Sequence, residues 1–309
     1  MIGIRAIGSY VPEGSISNRD RREQFDLTDD FISGKLGVER VSIKGPDEES
    51  SSLCLKAFSA LQAKTRIDPA EIECIVVCTQ NPDGRGIPHT SAIVHGALGA
   101  PERCAAFDLA LGCSGYVYGL SVAGSFMQAN GLKRGLLFTA DPYSKIVDPA
   151  DRDTALLFGD AATVTLLDGT GGAIWVPKRF VFGTRGSEGM ALNNSSGRLQ
   201  MNGRAVFTFS ATAVPEQVRA LLAAEGLGPE AIDLFLFHQG SKYIVDTLAR
   251  RLALPESKVP SNLSRQGNTV SSSIPLLFEG YLEDLLLRRI VMSGFGVGLS
   301  WASCLCERR

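Results

Sequence analysis

A thiol, an imidazole and a carboxamide stand where each could do chemistry in this chain: Cys113, His238 and Asn268. Cys113 sits in Leu111-Gly112-Cys113-Ser114-Gly115, between a strand-like run and an apolar helical stretch. Glycine on either side of Cys-Ser lets the backbone turn sharply there. A cysteine at a helix N-terminus meets unpaired N–H groups and the positive end of the dipole, which favour the thiolate. His238 closes the apolar run Leu234–Phe237 and precedes Gln239-Gly240-Ser241. Partial desolvation at the end of such a strand favours the neutral ring. Asn268 follows Gly267, a pair that by itself reads as a turn. Each residue alone also fits a structural role. Together they supply a nucleophile, a proton-handling or hydrogen-bonding ring, and an amide donor. The other two histidines, His89 and His95, fall in a helical region where surface or packing roles suffice.

Near the C-terminus, Gly294-Phe295-Gly296-Val297-Gly298-Leu299-Ser300-Trp301 resembles a dinucleotide loop only superficially, because no βαβ unit follows it. A tight glycine-rich turn presenting backbone N–H groups to an oxyanion is the better reading. The Cys304-Leu305-Cys306 run after it is expected to be a strand with alternating faces, not a metal site.

Elements must hold these groups in place. The segments Glu71–Thr79, Ala105–Leu109, Gly135–Thr139 and Thr163–Leu167 read as buried strands. Ala92–Leu98 reads as part of a helix ending at Gly99, and Tyr116–Met127 as a buried helix. Apolar strands alternating with helices predict a largely parallel sheet covered on both faces.

The second half repeats the first. Asp68-Pro69-Ala70-Glu71-Ile72-Glu73 before Cys74–Val77 has its counterpart in Gly228-Pro229-Glu230-Ala231-Ile232-Asp233 before Leu234–Phe237. Leu98-Gly99-Ala100-Pro101-Glu102 matches Leu252-Ala253-Leu254-Pro255-Glu256, and further on Gly112-Cys113 is matched by Gly267-Asn268. Three matches in order point to an internal duplication. Its halves are residues 1–168, carrying Cys113, and 169–309, carrying His238 and Asn268. A pseudo-twofold would gather corresponding strand ends at the centre, where all three residues lie. The stretch Gly183–Gly203 has turn chemistry and either covers a site or is an inert surface loop.

Composition excludes several classes. With 31 basic against 33 acidic residues and a pI near 6.0, the chain has no excess of positive charge for a phosphate backbone, so no nucleic-acid partner is expected. The seven cysteines are odd in number and no CxxC pairs with another at zinc spacing, so neither a disulfide framework nor a metal site is expected. Several lie in apolar runs, as reduced thiols do. No signal-peptide pattern opens the sequence. No apolar run approaches the roughly 18 residues of a spanning helix. A cytoplasmic protein with no membrane contact is expected.

The residues resemble the β-ketoacyl-ACP synthase III family of the thiolase superfamily across essentially the whole chain. The resemblance rests on Asp108–Tyr116, on His238-Gln239, and on Gly267-Asn268-Thr269 with Ser273-Ile274-Pro275. The Phe295–Trp301 turn, Leu157-Phe158-Gly159-Asp160 and Met201-Asn202-Gly203-Arg204 also match. It implies a homodimeric, five-layered αβαβα sandwich of duplicated βαβαβαββ halves. The implied reaction takes an acyl group from acyl-CoA onto Cys113, with the N–H groups of Cys113 and Val297 holding the oxyanion. His238 and Asn268 would then hold the thioester carbonyl of malonyl-ACP during decarboxylation. The enolate attacks the acyl-enzyme to give 3-ketoacyl-ACP, a step of fatty-acid or related polyketide biosynthesis. No permanently bound cofactor is implied.

The same resemblance places CoA adenine between Phe31 and Arg152, with Thr28 and Gly203 nearby. It places Ile87, from the partner subunit, at the end of the acyl pocket, and Lys242, Arg250 and Arg251 in a carrier-protein patch. The family's Arg-Thr-Gly is Lys35-Leu36-Gly37 here, an expected Asn is Ser241, an expected basic residue is Thr208, and Ile87 is no large aromatic. Two rivals stand beside this reading: acyl transfer to a hydroxyl or amine acceptor, and a non-catalytic subunit of another synthase. A Cys/His/Asn set in this chain order also occurs in papain-like proteases, whose local cysteine signature is missing.

Overall fold

The computed structural model describes all residues, Met1–Arg309. Nine strands form one sheet: β1 (Gly3–Tyr10), β2 (Cys74–Cys78), β3 (Ala105–Leu109), β4 (Arg134–Ala140), β5 (Ala162–Asp168), β6 (Trp175–Thr184), β7 (Leu234–Phe237), β8 (Arg289–Gly296) and β9 (Ser300–Arg308). Their spatial order is β7-β8-β9-β6-β1-β5-β4-β2-β3. The two halves meet where β1 touches β6 at the single pair Ile4↔Trp175.

The expectation of a largely parallel sheet fails. Only β7/β8, β2/β3 and β2/β4 are parallel, and the remaining junctions are antiparallel. Apolar runs betray burial on both faces, but strand direction depends on which strands pair, and the runs do not encode that.

Six helices cover this sheet: α1 (Ser50–Gln62), α2 (Thr90–Leu98), α3 (Gly115–Ala129), α4 (Gly203–Ala224), α5 (Lys242–Arg251) and α6 (Ser273–Phe278). Helices α1 and α2 lie on the outer face of the first half, while α4 lies on β6, β8 and β9 and carries α5. Helices α3 and α6 contact strands of both halves and so form the middle layer of an αβαβα stack. The core divides accordingly. Tyr116, Leu120 and Ile274 pack between the halves with Val76 and Leu236, whereas Val77 and Phe235 face the outer layers. Cys304 and Cys306 join the central cluster and Leu305 the outer one, as alternating faces require. No helix is long and apolar enough to cross a membrane.

The repeat seen in the sequence has a structural counterpart at atomic detail. Glu73 accepts the N–H groups of Lys133 (2.6 Å) and Arg134 (3.1 Å), tying the approach to β2 onto β4. Asp233 accepts those of Arg288 (2.6 Å) and Arg289 (2.7 Å), tying the approach to β7 onto β8. In each half the first, fifth, fourth and second strands lie in that spatial order. The third strand of the second half is not formed, since no strand lies between Leu234–Phe237 and Arg289–Gly296.

One matched pair carries a stability prediction. Gly99 ends α2 at φ 65°, and its counterpart Ala253 follows α5 at φ 53°. Left-handed backbone costs an L-residue roughly 1–2 kcal/mol, partly offset because glycine adds freedom to the unfolded chain. Ala253→Gly should therefore stabilise the fold by about 0.5 kcal/mol, a rise of ~1–2 °C in Tm. A lowered midpoint in thermal denaturation would show that Ala253 is not strained.

Candidate active site

Cys113 lies buried at the junction between β3 and α3. Gly112 and Gly115 are indeed needed here, though not for a left-handed turn, since neither has positive φ. They are needed for close approach: a Cβ on Gly112 would lie 2.5 Å from Gln80 Oε1, and one on Gly115 would run into Cys78 Sγ. The terminal hairpin presses on the nucleophile in the same way. A Cβ on Gly294 would lie 2.6 Å from the Cys113 carbonyl, and one on Gly296 would lie 2.7 Å from Cys113 Sγ. Ser114 Oγ and Ser300 Oγ, 2.9 Å apart, pin the hairpin in place. The glycine-rich run of β8 thus exists to let backbone approach a thiol.

The N–H groups of Val297 and of Cys113 itself face the sulfur and favour its charged form. Burial works against the thiolate that the helix terminus favours. Burial, reinforced by the Asp141 carboxylate, pushes the thiol up to about 12. Desolvation outweighs the helix terminus because Cys113 is only 3% exposed.

His238 follows β7 and is also buried. Burial pushes its ring down to about 3, so the imidazole is neutral, as expected. Ser273 Oγ, at the start of α6, lies 2.7 Å from Nδ1 and accepts the Gln239 N–H at 3.4 Å. Ser273 Oγ can donate its proton to Nδ1, and in that tautomer the ring hydrogen sits on Nε2. A Cβ on Gly240 would lie 3.8 Å from Nε2, and Gly240 lines the cavity described below. The Phe295 ring meets the imidazole edge-on at 5.4 Å.

Asn268 is held by backbone on both sides. Its N–H donates to the Leu157 carbonyl (2.8 Å) and its carbonyl accepts the Gly159 N–H (3.0 Å). Gly159 cannot be larger, because a Cβ there would collide with the Gln266 carbonyl. Asn268 Oδ1 accepts the Val270 N–H at 2.9 Å, which leaves the Nδ2 donors for the cavity. The Leu157–Asp160 run is therefore the cradle of Asn268. Asp160 anchors that run in turn, accepting from Lys44 N at 2.8 Å and Ser144 Oγ at 2.5 Å.

Cys113, His238 and Asn268, far apart in sequence, all line one cavity of about 930 Å³. Phe31, Arg152 and Gly203 line it too, and the Arg152 guanidinium lies 4.8 Å from the Phe31 ring centre. The Gly183–Gly203 stretch proves to be a cover, with Met190, Leu192, Met201 and Gly203 forming part of the wall. Thr28 does not line the cavity; its hydroxyl accepts the Phe31 N–H at 3.1 Å and so positions that ring's turn. Ile87 lies outside the cavity and is 93% exposed.

Lys242, Arg250 and Arg251 are on α5, whose first turn reaches the cavity mouth through Tyr243 and Ile244. Lys242 is paired with Asp246 at 2.6 Å, and Arg250 folds back onto Thr247 Oγ1 at 2.9 Å. Ser241 caps this helix by accepting the Ile244 N–H at 3.3 Å. Sequence reasoning gave no role to Ser273, Phe295 or the buried Asp141. Ser273 and Phe295 lay within recognised runs, but their contacts with His238 have no local signature.

A duplicated sandwich that brings a cysteine from one half to a histidine and an asparagine from the other defines an acyl-transferring enzyme of the thiolase fold. Profiles of "3-Oxoacyl-[acyl-carrier-protein (ACP)] synthase III" and of its C-terminal region match residues 107–186 and 222–308. A beta-ketoacyl-[acyl-carrier-protein] synthase III of Lactococcus lactis subsp. cremoris (strain SK11) is 33% identical, covering 96% of each chain. The crystal structure of the Thermus thermophilus synthase III superposes with a TM-score of 0.92 at 31% identity, over 99% of each chain. A priming beta-ketosynthase from the R1128 polyketide pathway superposes at 0.89 with 27% identity, over 100% of this chain and 96% of that one. The chain belongs to the 3-oxoacyl-[acyl-carrier-protein] synthase III family.

Proposed function

We propose that this enzyme condenses an acyl-CoA primer with malonyl-ACP through an acyl thioester on Cys113. Attack of Cys113 Sγ on the primer carbonyl forms the new C–S bond, and CoA leaves as its thiol. The N–H groups of Cys113 and Val297 hold the oxyanion of that step. The malonyl thioester then occupies the vacated cavity with its carbonyl oxygen between His238 Nε2–H and Asn268 Nδ2. Loss of CO2 leaves an enolate stabilised by these two neutral donors, which do not quench the carbon nucleophile. Its carbon attacks the acyl-enzyme, a C–C bond replaces the C–S bond, and the departing Cys113 thiolate takes up a proton from solvent to restore the thiol. The observation that carries this reading is the convergence of Cys113, His238 and Asn268 on one cavity.

Its test is intact-mass analysis after incubation with acyl-CoAs from acetyl to decanoyl, followed by malonyl thioester. An acyl adduct that then discharges with CO2 release supports the reading, and the best primer gives the chain length. An adduct that discharges only to a hydroxyl or amine would replace it with acyl transfer to such an acceptor.

CoA is a substrate in this scheme and no resident cofactor is required. Arg152 and Phe31 suit a purine ring, since a guanidinium and an aromatic face both stack on it. Arg152→Ala should raise KM for acyl-CoA about fivefold with kcat little changed, a loss of binding energy common to ground and transition states. The same variant should leave KM for acyl-pantetheine unchanged; an equal rise there would remove Arg152 from adenine recognition.

Basic residues of α5 suit an acidic carrier protein at the mouth. Arg251 and Arg250 supply that charge more readily than Lys242, which Asp246 already engages. KM for the carrier-borne donor should rise with salt while that for malonyl-CoA rises less.

A homodimer is supported by the open edge of β3, which carries Phe107, and by the Phe182 ring, 48% exposed. Ile87 of one copy would then reach the acyl pocket of the other. Sedimentation at the mass of a single 33.0 kDa chain would exclude this. Seven unpaired, buried cysteines support a reducing, cytoplasmic setting, which cell fractionation would check.

A further inference from the structure

Among the buried ionisable groups that the mechanism does not use, Asp141 is a carboxylate beside the nucleophile. Asp141 follows β4, is 0% exposed and has no cationic partner. Its Oδ1 accepts the Gln80 N–H at 2.6 Å, and its Oδ2 accepts the Ser271 hydroxyl at 2.5 Å. The Ser271 N–H and the Thr79 hydroxyl also favour its charged form. Gln80 stands beside Gly112, next to the nucleophile, and Ser271 stands in the turn that follows Asn268. The carboxylate therefore ties the cysteine half to the asparagine half at the centre of the molecule.

What it ties down is strained. Val270, β-branched, holds φ 52°, a conformation that persists only where the surroundings over-determine it. Its N–H is held by Asn268 Oδ1, and its carbonyl faces the His238 ring. Ser271, the next residue, is held by Asp141. Release of that hold lets Val270 relax, which withdraws its carbonyl from His238 and its N–H from Asn268 Oδ1. Both groups assigned to the malonyl carbonyl would lose their orientation.

We propose that Asp141 is a positioning residue that clamps the Asn268–Ser271 turn for decarboxylation, at a cost to the reactivity of the neighbouring Cys113 thiol. This deepens the condensation reading above and rests on it. The titratable groups that face the carboxylate are Cys113, Cys78, Cys54 and Tyr143, and each is held in its protonated form in part by Asp141. Burial raises Asp141 itself to about 6, so it carries its charge at neutral pH and above.

The two consequences have opposite signs, which a merely structural residue would not produce. With Asp141→Asn, CO2 release from the malonyl thioester should fall about tenfold to a hundredfold through misplaced donors. Alkylation of Cys113 by iodoacetamide at fixed pH should instead rise about threefold to tenfold, with its pH profile displaced to lower pH. Ser271→Ala keeps the carboxylate but loses a hydrogen bond that favours its charge, so in assays at pH 8 and above, where Asp141 stays charged, CO2 release should fall while the alkylation profile stays in place. Parallel loss of both activities in Asp141→Asn would overturn the proposal, and so would CO2 release at the wild-type rate in either variant. If Asp141→Asn does not fold, Ser271→Ala decides. Wild-type protein that acylates but releases no CO2 would sink the condensation reading itself, a separate outcome.

Discussion

Cys113→Ala is expected to carry no acyl adduct with any primer and to lose condensation by at least about 10⁴-fold, the scale seen when a covalent nucleophile is removed. The reason is chemical: alanine offers no atom to form the thioester, and each of the other six cysteines is packed within the core. The fold should survive, because the side chain shrinks by one sulfur in a site already open to the cavity. Far-UV circular dichroism and Tm near wild type would verify this. Decarboxylation is expected to separate from acylation in this variant. His238 and Asn268 remain, so malonyl thioester should still lose CO2 and yield an acetyl thioester. An acyl adduct persisting in Cys113→Ala would move the nucleophile elsewhere, and Ser114 would be the first residue to examine.

The wild-type thiol makes a second point about this step. A group pushed up to about 12 is protonated at neutral pH, so its proton leaves as the C–S bond forms or once the substrate has changed the surroundings. Alkylation of the free enzyme should therefore climb through pH 9 without a plateau. A plateau near pH 7 would mean that the N–H groups of Cys113 and Val297 dominate, and that burial is the lesser effect.

Local features of the site were legible because local chemistry encodes them. The strand β3 and the helix α3 were read almost to the residue, since apolar runs there are bounded by Gly112 and Gly115. The duplication was legible from Pro69 and Pro229, which mark equivalent helical turns before β2 and β7. Strand direction was not, because antiparallel β5 and β9 carry the same buried composition as their parallel neighbours. The state of the Cys113 thiol was not legible for a related reason. The helix terminus is visible in the sequence, whereas desolvation and Asp141 are products of tertiary packing. Asp141 itself reads as a turn residue before Pro142. Only folding brings Ser271 to it across 130 positions.

His238→Ala is expected to lower CO2 release by about 10²–10³-fold, the usual cost of removing one preorganised donor to a developing oxyanion. Acylation of Cys113 should fall far less, because His238 is not assigned to that step; intact mass and CO2 release together separate the two. Asn268→Ala should behave alike, and the double variant should lose less than the product of the two single losses, since both donors serve one oxygen. The pH dependence follows from the neutral ring. Burial holds the imidazole at about 3, well below its ordinary 6.5, so the ring itself should add no limb to decarboxylation near pH 6.5, and a limb near pH 6 belongs to Asp141. A limb that persists in Asp141→Asn would mean that the imidazolium, not the neutral ring, is the functional form or its inhibitor. The same depression makes a stability prediction of definite sign. The unfolded chain binds a proton at His238 from pH 6.5 downward while the folded chain does not, so this contribution is complete above pH 6.5 and is lost as pH falls toward 3. Removing the ring removes that dependence. His238→Ala should accordingly narrow its stability gap to wild type in acid, and a gap that stays constant from pH 7 to pH 4 would show that the ring takes up a proton in the folded state.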